Sequence, residues 1–268
     1  MHREIYPQPP LELVVAEIRY PFAPRLKQPD VCDAIQLALE EVLPVRRNQQ
    51  LVEFAITPEG QTQKTTEVFR LVDRAGTHSA LISPDRTVVE TTRYIEFADL
   101  LSLITGVLDA IVEHRAIPAI ERLGLRYIDE IRVPGPIDNL TDWADWIAAD
   151  LMAPITSVAG AMSPIGFQGM LSYATGQDMA LNFRYGAANG PGVIAPDGAL
   201  RRRRDVEPGP FFLLDIDSYW QAPTADQALD ADVKEVARLY SALHAPTGTR
   251  FQSSITEKAR QLFRGDGS

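Results

Sequence analysis

The chain reads as an α+β protein with a mostly antiparallel sheet, and three observations predict this. Runs of alternating apolar and polar residues follow one another directly across turn signals, where a parallel sheet would interpose helices. Apolar residues at helical spacing form separate blocks between these runs. Both halves of the chain repeat this content, a few strands with helices beside them, without a residue-level repeat.

Each element has its own signal. After a proline-rich start (Pro7, Pro9, Pro10), Leu11 to Tyr20 alternates, with Val14, Ala16 and Ile18 on one face and Glu17 and Arg19 on the other. Asp30 is a candidate N-cap before Val31, Ala34, Ile35, Ala38, Leu39 and Val42. Four strand-like runs follow as a meander: Gln50 to Thr57, Thr66 to Asp73, His78 to Ser83 and Thr87 to Tyr94, broken at Pro58-Glu59-Gly60, Ala75-Gly76 and Pro84-Asp85. A helix with Leu100, Leu101, Ile104, Val107, Leu108 and Ile111 as its buried stripe precedes a strand over Leu125 to Val133.

In the second half, Trp143, Ile147 and Leu151 form the apolar side of a helix over Leu140 to Met152. Ile165 to Ala174 and Asp178 to Tyr185 make a hairpin across Thr175-Gly176-Gln177, and a Gly/Pro-rich connection runs from Gly186 to Pro210. The strand Phe211 to Trp220 comes next, then a helix with Val233, Val236, Ala237, Tyr240 and Leu243 on one face, then a second helix behind the capping box Ser254-x-x-Glu257. Pro134 to Asn139 is the best boundary, dividing an N-terminal α+β half, 1–136, from a C-terminal half, 137–268. One continuous sheet spanning both halves, hence a single domain, fits equally well.

Composition narrows the function. With 268 residues, 45% hydrophobic and 23% charged, the chain has ample length and apolar content for a core. The net charge of −10 and pI near 4.9 argue against non-specific attraction to nucleic acid or anionic membrane. A single cysteine, Cys32, excludes an intramolecular disulfide. No apolar run reaches the ~18 residues of a membrane helix, and the N-terminus lacks the apolar core of a signal peptide. The expected compartment is the cytoplasm.

The most informative stretch is Phe211 to Trp220, a strand whose inward face is Phe212, Leu214 and Ile216 and whose other face carries Asp215 and Asp217 side by side. Two carboxylates at that spacing need a cation, an arginine or open water. The favoured reading is a structural charge network with Arg184, whose own strand presents Asn182 and Arg184 on the polar face. Arg126 and Glu130, with Arg132, share the polar face of the mid-chain strand and belong to the same kind of network. The alternative is a divalent metal, Mg²⁺ or Mn²⁺, held by Asp215 and Asp217 in an enzyme acting on a phosphorylated or nucleotide substrate.

Asp129 falls on the more apolar face of the mid-chain strand, beside Tyr127 and Ile131. A buried acid there has the raised pKa of a general acid or base, against the commoner structural role of accepting backbone hydrogen bonds, which is the reading adopted. The four histidines, His2, His78, His114 and His244, have no metal-ligand spacing, and His114 and His244 fall at the ends of predicted helices. Ser157 and Ser163 lack a nucleophile-elbow context, and Gly186 to Gly192 lacks both P-loop and dinucleotide-binding spacing. Arg201, Arg202, Arg203 and Arg204 are the one basic concentration, in a connection of about 25 residues. They are a candidate partner-binding element, set level with a solvated loop because Asp205 and Glu207 blunt their field.

Pro9-Pro10-Leu11, Gly124-Leu125-Arg126-Tyr127-Ile128-Asp129, Leu214-Asp215-Ile216-Asp217, and Phe251 with Ile255-Thr256 occur in order along nearly the whole chain. This set resembles a sporadically distributed, uncharacterised bacterial protein family of about this length. The resemblance implies asparagine as the more usual residue at position 129 and carries no catalytic assignment. The expected function is therefore a non-catalytic binding or accessory protein that recognises a protein or peptide partner. No cofactor is expected. An acidic surface with apolar helices is also compatible with a homo-oligomer, and nucleic-acid binding through the arginines is disfavoured.

Overall fold

The computed structural model describes residues 4–57, 60–156, 164–195 and 198–265, and the side chains of these residues except between 51 and 67. The elements in order are β1 (Leu11–Arg19), α1 (Pro29–Ala38), β2 (Val45–Thr57), β3 (Gly60–Val72), β4 (His78–Ile82), β5 (Arg86–Thr91), α2 (Phe97–Val112), β6 (Arg122–Ile131), α3 (Ala149–Thr156), β7 (Phe167–Gly176), β8 (Met179–Gly190), β9 (Gly209–Gln221), α4 (Val233–Ser254) and α5 (Glu257–Arg264). The fold is α+β. Every strand pair is antiparallel, in one sheet of order β2-β3-β4-β5-β1-β6-β9-β8-β7.

That order joins the two halves of the chain. β1 to β6 come from the first half and β7 to β9 from the second, and β6 pairs with β9 from Arg122↔Gln221 to Ile131↔Phe212. The segment Pro134 to Asn139 thus connects strands of a continuous sheet.

Register explains why the helices collect on one face. Val14, Ala16 and Ile18 of β1 stand beside Tyr127, Leu125 and Leu123 of β6, and these beside Ile216, Ser218 and Trp220 of β9. With period-2 alternation, this row is one apolar face across the central strands. Two buried clusters cover it. One joins β1, β3 to β6, α1, α2 and α4; the other joins Ile131, Leu181, Phe183, Phe212, Leu214 and Ile216 to α3, α5, Trp143 and Trp146. No helix among the described residues is long and apolar enough to cross a membrane.

Several boundaries differ from those the sequence predicts, each for a tertiary reason. The single helix expected over Leu140 to Met152 is split into a 3-10 turn, Leu140–Asp145, and α3. Between them Ile147 makes a β-bridge to Ile255, Thr256 N donates to the Trp146 carbonyl at 3.0 Å, and Ala148 N donates to the Ser254 carbonyl at 2.9 Å. α5 is capped by Thr256, whose Oγ1 accepts from Ala259 N at 3.3 Å, because α4 runs on to Ser254 and occupies that residue. α1 starts at Pro29, which leaves Asp30 inside the first turn with Gln28 as the N-cap. The β7–β8 turn lies one step later than expected, at Gln177-Asp178, where Asp178 adopts φ 56° as short turns demand. The predicted turn at Pro58-Glu59 lies outside the described residues, as do Ser157 and Ser163.

Candidate functional site

The face of the sheet opposite the helices carries the predicted charge network. Ile128 stands opposite Asp215, and Arg126 opposite Asp217. Asp215, whose side chain is only 5% exposed, is held in a two-pronged pair by Arg126, Nε to Oδ1 at 2.6 Å and Nη2 to Oδ2 at 2.7 Å. Arg184, its direct neighbour on β8, is a second and more distant partner at 3.7 Å. Asp217 faces Arg122 at 3.8 Å, and Arg122 also pairs with Glu17. Burial pushes the Asp217 carboxyl up, opposed by Arg122 and Arg126. Arg122 is thus the link missing from the sequence-based network, placed there by the β1–β6–β9 register. Among the described residues no three His, Cys, Asp or Glu side chains converge as a metal-binding group.

Glu130 belongs to a second network. Its fully buried carboxylate pairs with Arg202 and Arg132, and Arg202 also reaches Glu12 at 3.2 Å. Val193 N donates to the same Glu130 carboxylate. This junction folds the long connection back onto the sheet, and it needs Gly192 at φ +100°, where an added Cβ would strike Arg202 and the Glu130 carboxylate.

The arginine run is therefore divided among different environments. Arg201 is tied by its backbone, its N donating to the Gly76 carbonyl at 2.6 Å and its carbonyl accepting from Thr92 Oγ1 at 2.6 Å. Arg202 is consumed by Glu12 and Glu130. Arg203 and Arg204 are exposed, and Arg203 borders a cavity. Burial, with Arg204 and Arg93 nearby, lowers the Arg203 pKa. Arg202 is tied to carboxylates of the sheet while Arg203 and Arg204 are exposed, so the four consecutive arginines do not form one stripe.

That cavity, about 530 Å³, lies on the helix side between the N-terminal segment, β6 and α4. Its walls are mostly apolar: Ile5, Pro7, Pro9, Pro10 and Leu11 from the N-terminal segment, with Ile95, Ile216, Ala245 and Phe251. The N-terminal segment is held in place by Gln8 N donating to the Phe263 carbonyl at 3.0 Å, by Tyr6 OH donating to Gln252 Oε1 at 3.1 Å, and by the Glu4–Arg264 ion pair. On the α4 side the helix continues through Pro246, and Thr247 Oγ1 donates to the His244 carbonyl at 2.8 Å. His244 therefore stands within α4 and not at a helix end as the sequence predicts. Its ring stacks on Phe97 at 4.1 Å, and its Nδ1 lies 2.8 Å from the Tyr127 hydroxyl. Tyr94 packs edge-on against Tyr127, with ring centroids 5.7 Å apart.

Asp129 also lines this cavity. It is 4% exposed, stands opposite Leu214 on the apolar face, and its carboxyl group has no hydrogen-bond partner among the described residues. The expected structural role, accepting nearby hydrogen bonds, is thus not what the geometry provides. Burial first, then the charges of Glu12 and Asp215, push its pKa up to about 8. At neutral pH it is a protonated acid, able both to donate and to accept.

An apolar enclosure with a few polar groups and one strongly shifted acid has the character of a binding pocket. Of its residues, sequence reasoning reached Asp129 through strand parity, with Tyr127 two positions earlier on the same face. Tyr94, His244, Gly248 and the role of Arg203 carried no local signal. Compared with known proteins, the sequence matches no family model and has no significant similarity to a curated protein.

Proposed function

We propose that the chain is a non-catalytic binding protein that recognises a protein or peptide partner in the cytoplasm by taking an apolar element of it into the cavity beside Asp129. The observation that carries this reading is the apolar enclosure of about 530 Å³ itself, bordered on its exposed side by Arg203 of the arginine run. The rest of the run has a supporting role, since Arg202 anchors the connection to the sheet. The metal-enzyme reading is weaker: a cation at Asp215 would compete with the two-pronged Arg126 pair.

Gly248 offers a clean test. It lines the cavity, and a Cβ added there meets no atom within 4 Å, so Gly248→Leu fills space at the wall without a clash. Peptides selected on the purified chain from a random library are expected to lose binding to Gly248→Leu and to weaken on Arg203→Ala, while both variants melt cooperatively. Equal affinity for the plugged variant would overturn the proposal.

A separate observation supports self-association. β7 is an edge strand without a single charged residue, and Met170, Leu171 and Tyr173 on it are exposed. Edge strands that stay unpaired usually carry charges, prolines or bulges that blunt them. Sedimentation velocity of the wild type against Leu171→Lys tests this: a dimer lost in the variant supports it, and a wild-type monomer at high concentration contradicts it.

A further inference from the structure

Resting on the cavity as the binding site, we infer that the group it takes beside Asp129 is an uncharged primary carboxamide on an apolar stem, paired edge to edge with the Asp129 carboxyl. Asp129 is more than nine-tenths buried, borders the cavity, and finds no protein hydrogen-bond partner among the described residues. The local sequence gives a reason. Glu130 N donates to the Pro10 carbonyl at 2.9 Å, so the proline-rich start of the chain runs directly past position 129. Pro7, Pro9 and Pro10 border the cavity and have no amide hydrogen to offer the acid. Buried polar groups in folded proteins are nearly always satisfied, so the hydrogen-bonding capacity of this carboxyl is directed at what enters the cavity.

The charge state of the acid then selects the guest. Asp129 is buried on the apolar face, and the charges acting on it are those of Glu12 and Asp215, each already paired with an arginine. Both favour the neutral form, which the acid keeps up to about pH 8. A neutral carboxyl presents one O–H donor beside one carbonyl acceptor. A primary carboxamide answers both at once, its C=O accepting the acid proton and its N–H donating to the acid carbonyl.

Other groups answer less. An ammonium has no acceptor and a carboxylate no donor, and either brings a charge into a mostly apolar enclosure. A ketone serves the acid proton and leaves the second oxygen without a partner. A trans peptide group points its N–H and C=O in opposite directions, so the main chain of a partner cannot make both bonds. A glutamine or asparagine side chain and an amidated C-terminus can, with Leu11, Ile216 and Phe251 of the cavity wall around the stem.

Chemical-shift titration of the isotope-labelled chain at neutral pH tests this with three probes on one skeleton. These are 3-phenylpropanamide, 4-phenylbutan-2-one (a methyl in place of the NH2) and 3-phenylpropylamine. The amide is expected to bind about tenfold tighter than the ketone, and tighter than the amine. Asp129→Asn, which keeps a donor beside an acceptor, is expected to retain the amide preference. Asp129→Leu, which removes both, is expected to abolish it. Acetyl-Leu-Gln-methylamide and acetyl-Leu-Leu-amide then separate the side-chain source from the terminal one.

An amide that does not bind, equal binding of amide and ketone, an amide preference lost in Asp129→Asn or kept in Asp129→Leu, or an amine preference would each overturn the inference. If Asp129→Leu fails to fold, the probe series on the wild type and Asp129→Asn decides. Library peptides lost on Gly248→Leu without an amide preference would sink the carboxamide and keep the cavity. An Asp129-dependent amide preference, with library peptides indifferent to Gly248→Leu, would keep the carboxamide site and sink the partner reading.

Discussion

Asp129 and Asp215 lie on neighbouring strands with their carboxyl groups on opposite faces of the sheet, and their surroundings differ as sharply as their directions. Asp215 is held by both prongs of Arg126 among the charges of the open face, while Asp129 is buried on the helix side, where the charges acting on it are those of Glu12 and Asp215. One is scaffold; the other faces a cavity.

The first prediction concerns pH. The Asp129 acid titrates at about 8 when folded, against about 3.9 for an unfolded aspartate. Between these values the folded chain holds a proton that the unfolded chain has released. Asp129 therefore lowers stability as pH rises through this window, by up to about 1.4 kcal/mol per pH unit, and the loss levels off above the folded value. Asp129→Asn removes this dependence, so the variant should gain on the wild type as pH is raised. Urea unfolding of both across a pH series checks it; parallel curves contradict it.

The second concerns the connection between β8 and β9. Arg202 is the shared partner of the buried Glu130 and the partly buried Glu12, and burial with Glu130 close by pushes the Glu12 acid up. Arg202→Ala strands both and should destabilise the fold by about 3–5 kcal/mol, whereas removing exposed Arg204 should change stability by less than about 0.5 kcal/mol. Thermal denaturation of the two variants gives the comparison directly.

The third concerns the open face. Asp215→Asn breaks a pair in which Arg126 is 40% exposed, so solvent screening limits the expected loss to about 1–2 kcal/mol in chemical denaturation. The same account predicts no saturable heat when Mg²⁺ or Mn²⁺ is titrated into the wild type. A binding isotherm abolished by Asp215→Asn with Asp217→Asn would instead restore the metal reading.

The fourth concerns α4. Gly248 lies in the interior of a helix with open space where its Cβ would be. Gly248→Ala should stabilise the chain by about 0.5–1 kcal/mol through helix propensity alone. A melting temperature lowered by that change would show that the helix passes Pro246 differently.

Strand parity made much of this legible. The alternation in β9 and β6 put Leu214 and Ile216 inside, Asp215 and Asp217 together outside, and Asp129 with the apolar set. What sequence could not show depends on pairing between distant segments. Arg122 joins the charge network because β1, β6 and β9 are neighbours, and Trp146 to Ala148 leave helical geometry because they bond residues 254–256. The four arginines looked like one element as letters, yet Arg202 pairs with carboxylates of the sheet and Arg203 borders the cavity. The cavity itself draws on the N-terminal segment, Tyr94 and Ile95, Tyr127 and Asp129, Arg203, Ile216 and the second half of α4, and no local pattern links segments so far apart.

The central claim is that this cavity receives the partner, and amide chemical-shift mapping of a selected peptide on the isotope-labelled chain tests it most directly. The account predicts shifts concentrated at Tyr6 to Leu11, Tyr94, Tyr127 to Asp129 and His244 to Gln252. Shifts confined to Arg126, Arg184 and Asp215 on the open face, or to β7, with the cavity residues unmoved, would contradict it.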